Sequence, residues 1–136
     1  MALDPERLKG LAGFRYALRR FIAASEAISH DAGITQQQYQ AMLAIKARAA
    51  ETMPIKELAE QLLLTHHAAV QLTDRLEAAG LARRAPSPED RRSVLVDLTE
   101  RGEALLDELA AKHLEEMQRQ EPLLSASLGR LKRMKA

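Results

Sequence analysis

Leu8, Leu11, Phe14, Leu18, Phe21, Ile22, Ser25 and Ile28 recur at the three- and four-residue spacing of one helical face. With Asp4 as N-cap and Pro5 in the first turn, this stripe predicts a long first helix ending near Gly33. Thr35 and Gln38 then form a capping box, with Ile34 and Tyr39 placed for a hydrophobic staple, so a second helix is expected near residues 36–48. Pro54 suits a first turn, and Ile55, Leu58, Ala59 and Leu62 give the apolar stripe of a short third helix. Thr65 caps a fourth helix, which Gly80 stops. Residues 81–85 and 94–98 have strand-like composition and flank the polar turn at 86–93, a hairpin with a charged tip. Thr99 caps another helix carrying Leu105, Leu106, Leu109, His113 and Met117, and Pro122 is expected to open a last one carrying Leu124, Leu128, Leu131 and Met134.

The predicted order of four helices, a hairpin and two helices describes a mainly α fold with a small β-hairpin. Helices three and four, joined through residues 63–65, form a helix-turn-helix, and the hairpin after them forms a wing. The winged lobe would occupy residues 35–99, flanked by apolar helices in 1–33 and 100–136. A lobe of about 65 residues cannot cover both flanking helices. Their stripes are therefore expected to bury one another across a homodimer, the alternative being that they fold back on their own chain.

Composition narrows the chemistry. The chain contains no cysteine, which removes disulfides, thiolate metal sites and thiol redox switching. A net charge of +1 is too small to indicate a nonspecific nucleic-acid coat, and 3% aromatic residues supply no platform for stacking single-stranded bases. The opening residues lack the basic start and apolar run of a signal peptide, and no apolar stretch reaches membrane length, so a cytoplasmic protein without membrane contact is expected.

Ala69, Leu72, Leu76 and Ala79 share one face of the fourth helix, so at about 100° per residue His67, Val70, Gln71 and Asp74 are expected to point outward. This suits a recognition helix in a DNA major groove, where Gln71 can pair bidentately with adenine and His67 can donate to guanine. Thr65, His66, His67, Val70, Gln71 and Arg75 are the candidate DNA contacts of this helix. On the wing, Arg84, Asp90, Arg91 and Arg92 are the candidates. A guanidinium on a projecting hairpin can enter a narrow, electronegative minor groove while Asp90 holds its planar fork.

The stretches Ile55-Lys56-Glu57-Leu58-Ala59, Thr73-Asp74-Arg75-Leu76-Glu77-Ala78-Ala79-Gly80-Leu81, Pro88-Glu89-Asp90-Arg91-Arg92 and Val96-Asp97-Leu98-Thr99-Glu100-Arg101-Gly102 resemble the multiple-antibiotic-resistance regulator (MarR) family. The resemblance implies a homodimer made by the terminal helices, recognition helices in successive major grooves, and wings in the flanking minor grooves. It places Arg92, within the D-x-R pair Asp90 and Arg92, at the wing-tip contact. Members commonly carry basic or hydroxyl residues where this chain has Val70 and Gln71 after His66-His67, so the resemblance does not supply an operator sequence. It also implies a small aromatic or anionic effector bound between the dimerisation helices and the lobe. Phe14, Tyr16, Tyr39 and Met42 would be its apolar lining, with Arg15 or His30 as polar anchors. The cysteine-based peroxide sensing of some members is excluded.

Other functions fit less well. Adjacent His66 and His67 point about 100° apart on a helix and do not converge on one metal ion, although His30 and His113 could join them through a dimer interface. With no H-E-x-x-H, G-x-S-x-G, phosphate-cradling glycine loop or Cys nucleophile, no catalytic site, metal or cofactor is expected. A winged helix that binds protein instead of DNA is the remaining alternative. The expected function is sequence-specific duplex DNA binding by a transcription repressor that a small effector relieves.

Overall fold

The computed structural model describes residues 3–135. Its elements are α1 (Pro5–Asp31), α2 (Gln36–Ala47), β1 (Thr52–Pro54), α3 (Ile55–Leu62), α4 (His66–Ala78), β2 (Ala82–Pro86), β3 (Val94–Leu98) and α5 (Glu100–Arg133). This is the mainly α winged helix-turn-helix fold expected from the pattern of apolar positions.

Local capping chemistry sets the helix starts. Asp4 accepts from the Glu6 amide at 3.0 Å, Thr35 and Gln38 close a reciprocal capping box, and the Thr65 hydroxyl accepts from the Ala68 amide at 3.1 Å. Each satisfies an amide that has no partner within the helix. Helix α4 stops at Gly80, whose φ of 74° is favourable only without a Cβ. The amides of Gly80 and Leu81 there return to the carbonyls of Glu77 and Leu76, both at 2.9 Å.

Two expectations are corrected. Pro122 does not open a new helix: α5 runs unbroken from Glu100 to Arg133 with the proline inside it. A proline there removes one backbone hydrogen bond. Helix α1 packs along the same helix, with Gly10 beside Met134 and Glu6 3.2 Å from Arg130. Secondly, Thr52–Pro54 forms a third strand, β1, pairing antiparallel with β3 in the sheet order β1-β3-β2. Pro54 ends this edge strand and is the N-cap of α3, one position before the first turn that the sequence pattern assigns it.

The core lies under the helix-turn-helix, where Met42, Ile45, Leu58, Leu72, Leu76, Val96 and Leu109 are fully buried. It joins α2, α3, α4, the sheet and the start of α5, and so fixes α4 and the wing on one frame. The junction of β2 and α5 is especially tight: a Cβ on Gly102 would lie 2.0 Å from the Leu81 carbonyl oxygen. Part of each terminal stripe is buried by α1 packing on α5 within the chain, and Leu8, Leu11, Ile22, Leu114, Leu123 and Leu128 stay exposed on the outer faces.

Candidate nucleic-acid interface

The apolar stripe of α4 turns Ala69, Leu72 and Leu76 into the core and leaves His66, His67, Gln71, Asp74 and Arg75 exposed. Val70 lies on the expected side beside His66 but is less exposed than His67 and Gln71. It is half-buried against the core, and its carbonyl accepts from the Arg84 guanidinium at 3.3 Å. The Thr65 hydroxyl is engaged as the helix cap. The side chains presented outward by the first turns of α4 are therefore His66, His67 and Gln71, with Arg75 one turn further along.

Arg84 does not project from the wing. Its guanidinium bonds Asp74 at 2.6 Å and also reaches Glu77, bracing β2 against α4. Arg83 is similarly occupied, with its Nε 3.0 Å from Asp97. Beyond them the hairpin tip is held by bonds from side-chain oxygens to backbone amides. Ser87 Oγ accepts from the amides of Glu89 and Asp90, both at 3.3 Å, and Asp90 Oδ1 accepts from the Arg92 amide at 2.9 Å. The expectation that Asp90 holds an arginine fork is thus corrected: its carboxylate grips the Arg92 backbone and shapes the turn. Arg91 and Arg92 are exposed, and among the described residues neither forms an ion pair.

The proposed effector residues do not converge. Met42 lies inside the core, and Tyr39 is buried with its ring stacked on His113 at 3.7 Å between centroids. Burial holds the Tyr39 hydroxyl above the usual tyrosine range. Phe14 is half-buried on α1, while Arg15 and Tyr16 are exposed. His30 borders a separate open groove at the junction of α1 and α2, with Glu26, Ile34 and Gln36. His113 faces the Leu109 carbonyl at 2.8 Å and the Ser25 carbonyl at 3.3 Å through its two ring nitrogens, so it is engaged inside the fold, apart from His66 and His67.

Sequence reasoning missed the bracing role of Arg84. The available signal was the charge pattern: Asp74 and Glu77 fall on one side of α4, and an arginine follows in the adjoining strand.

Comparison with known proteins agrees with this geometry. A family profile described as "MarR family" matches residues 32–93. The organic hydroperoxide resistance transcriptional regulator of Bacillus subtilis (strain 168) is 44% identical over 77 residues, which cover 57% of this chain and 50% of that protein. The matched stretch thus spans about half the length of that relative. AbsC, a MarR family transcriptional regulator from Streptomyces coelicolor, superposes with a TM-score of 0.82 at 21% identity, covering 88% of this chain and 81% of its own. Sco3205, a MarR family regulator from the same organism solved in complex with DNA, superposes with a TM-score of 0.81 at 22% identity, covering 98% and 87%. With the helix-turn-helix, the wing and the flanking helices all in place, the chain shares the fold of these MarR family regulators, and its residues 32–93 match that family's profile.

Proposed function

We propose that this protein is a sequence-specific duplex DNA-binding transcription regulator that works as a homodimer. The supporting observation is that the wing tip and the first turn of α4 lie beside each other, Arg92 and Ser93 sharing one notch with His66 and Val70. This places an exposed, polar helix end next to a projecting arginine, as a major-groove reader and a minor-groove reader must be. Thr65, His66, His67, Gln71 and Arg75 form the helix side of the surface, and Arg91 and Arg92 the wing side. The exposed leucines of α1 and α5 support two-fold assembly, because a second copy would cover them. Among the described residues no helix is long and apolar enough to cross a membrane. We place the protein in the cytoplasm with its DNA.

The regulator acts as a repressor that a small ligand relieves. This part rests on kinship, and on a relative of the fold from Bordetella bronchiseptica whose DNA binding is regulated by 6-hydroxynicotinic acid. A chain without cysteine needs a non-thiol signal. The Bacillus relative's association with organic hydroperoxide therefore does not carry a thiol mechanism to this protein.

The test is duplex affinity by fluorescence anisotropy across a salt series, together with light scattering. Binding that weakens steeply with salt, by a particle of twice 15.1 kDa, is expected. Salt-independent or absent duplex binding would favour a protein-interaction role.

A further inference from the structure

Between the wing and the helix-turn-helix the described surface closes into a notch of about 260 Å³. Lys56 at the start of α3, His66 at the start of α4, and Arg92 and Ser93 at the return of the wing meet in its wall, over an apolar floor of Ile55 and Val70. Arg84 is a further basic group of the wall, already held by Asp74 and Glu77. Among the described residues Lys56, His66 and Arg92 form no ion pair, and no carboxylate lines the notch. The acids of the wider groove outside it are largely engaged. Glu57 faces Arg48 at 2.6 Å and Asp90 holds the Arg92 amide, which leaves Glu60.

Three unpaired basic side chains from three separate elements, converging with a hydroxyl, are a site for a compact anion. The notch is smaller than the roughly 300–1,000 Å³ that drug-sized ligands fill, and it is roomy enough for one phosphate. Position decides which phosphate. A duplex that takes α4 in its major groove and the wing in the adjacent minor groove must pass one sugar-phosphate strand between them, and the notch lies there.

We propose that the notch seats a single backbone phosphodiester of the strand that separates the two grooves. Lys56 supplies the charge, His66 a ring N–H and Ser93 a hydroxyl donor, while Arg92 continues past the phosphate into the minor groove. The proposal rests on the DNA-binding reading and adds Lys56, on a helix that reads no bases, as the residue that fixes the register of α4. A phosphate contact positions the protein without reading sequence. The contribution of Lys56 is therefore the same on any duplex.

The experiment is a salt series of duplex affinity for the full chain, with one duplex selected from a random pool by the wild-type protein and one scrambled duplex. Lys56→Gln should lower the salt slope by about one per subunit on both duplexes, and Lys56→Arg should restore it. Ser93→Ala should weaken binding about threefold with no change of slope, since it removes a donor and no charge. Unchanged thermal melting of Lys56→Gln confirms that its fold is intact. If the wild type binds and Lys56→Gln keeps its slope, or loses affinity only on the selected duplex, the seat is overturned and the DNA-binding reading stands. If the wild type binds neither duplex, the DNA-binding reading falls and takes the seat with it.

Discussion

The guanidinium of Arg84 on β2 lies 2.6 Å from the Asp74 carboxylate on α4 and also reaches Glu77, so the wing and α4 are joined by side chains as well as by the core. Arg84 is about a quarter exposed and its partners more so, which keeps the bridge at the modest end for ion pairs. Arg84→Ala is expected to lower stability by about 1 kcal/mol and to weaken operator binding by loosening the angle between α4 and the wing. The salt slope distinguishes bracing from contact. It should stay at the wild-type value, and a fall as large as that of a phosphate-contacting arginine would show that Arg84 leaves its partners to meet DNA.

Gly102 gives the clearest stability prediction. It is buried at the foot of α5, and its missing side chain makes room for the Leu81 carbonyl, which is backbone and cannot swing aside. The same corner is tied by Thr99, whose hydroxyl donates to the Gly80 carbonyl at 2.7 Å and accepts from the Gly102 amide at 3.0 Å. Gly102→Ala should reduce unfolding free energy by about 3 kcal/mol, at the upper end for overpacking. Urea denaturation measures it, and a loss under about 1 kcal/mol would mean that the corner opens without strain.

Leu63 makes the opposite prediction. It is 93% exposed and adopts φ 55°, a left-handed conformation that costs a branched-chain residue free energy with no burial in return. Leu63→Gly should raise stability by about 1 kcal/mol. A lower melting temperature would show that the exposed leucine makes a contact in the assembled protein.

These features separate what the sequence discloses from what it hides. Helix starts at Thr35, Thr65 and Thr99 are readable because a cap uses residues within three positions of itself. The outward placement of His67 and Gln71 is readable for a similar reason, since helical periodicity alone fixes it. Strand β1 is not: Thr52 pairs with Asp97 across 45 positions, and its three residues carry no alternation of their own. The continuity of α5 through Pro122 is hidden because a proline within an apolar pattern reads as a helix start or break. Periodicity does not disclose that Val70 is half-buried, because it takes no account of the strand beside α4, whose Arg84 bonds the Val70 carbonyl. Tyr39 and Met42 suit ligand lining by residue type, and core packing claims them instead.

His67 and Gln71 carry the base-reading prediction. Each is exposed on the first turns of α4, free of the cap and of the Arg84 brace. Replacing either by Ala should lower affinity for the selected operator by about 1–3 kcal/mol and relax preference at one position of each half-site. Binding to scrambled duplex should barely change. Equal losses on both duplexes would show that these side chains contact the backbone and read nothing.

The wing yields two variants that separate charge from shape. Arg92 is exposed at the tip with no partner among the described residues, and Asp90 acts on its backbone amide, 2.9 Å away, with no bond to its guanidinium. Arg92→Ala removes a cation and leaves the turn intact, so it should weaken binding and lower the salt slope by about one for each wing arginine removed. The loss should be greatest on sites with an A·T-rich flank, where the minor groove is narrow and its potential most negative. Asp90→Ala removes the acceptor that holds the turn and deletes a negative charge near the DNA. These two effects oppose each other. The looser turn lowers affinity by spreading Arg92 over more conformations, while deleting the carboxylate favours binding, most visibly at low salt. Affinity should therefore fall less than for Arg92→Ala, and the salt slope should not decrease. Anisotropy across a salt series for wild type and both variants checks the pair. If Arg92→Ala leaves affinity and slope unchanged, the wing stays out of the minor groove, and if Asp90→Ala lowers the slope as much as Arg92→Ala does, the carboxylate has a role beyond shaping the turn.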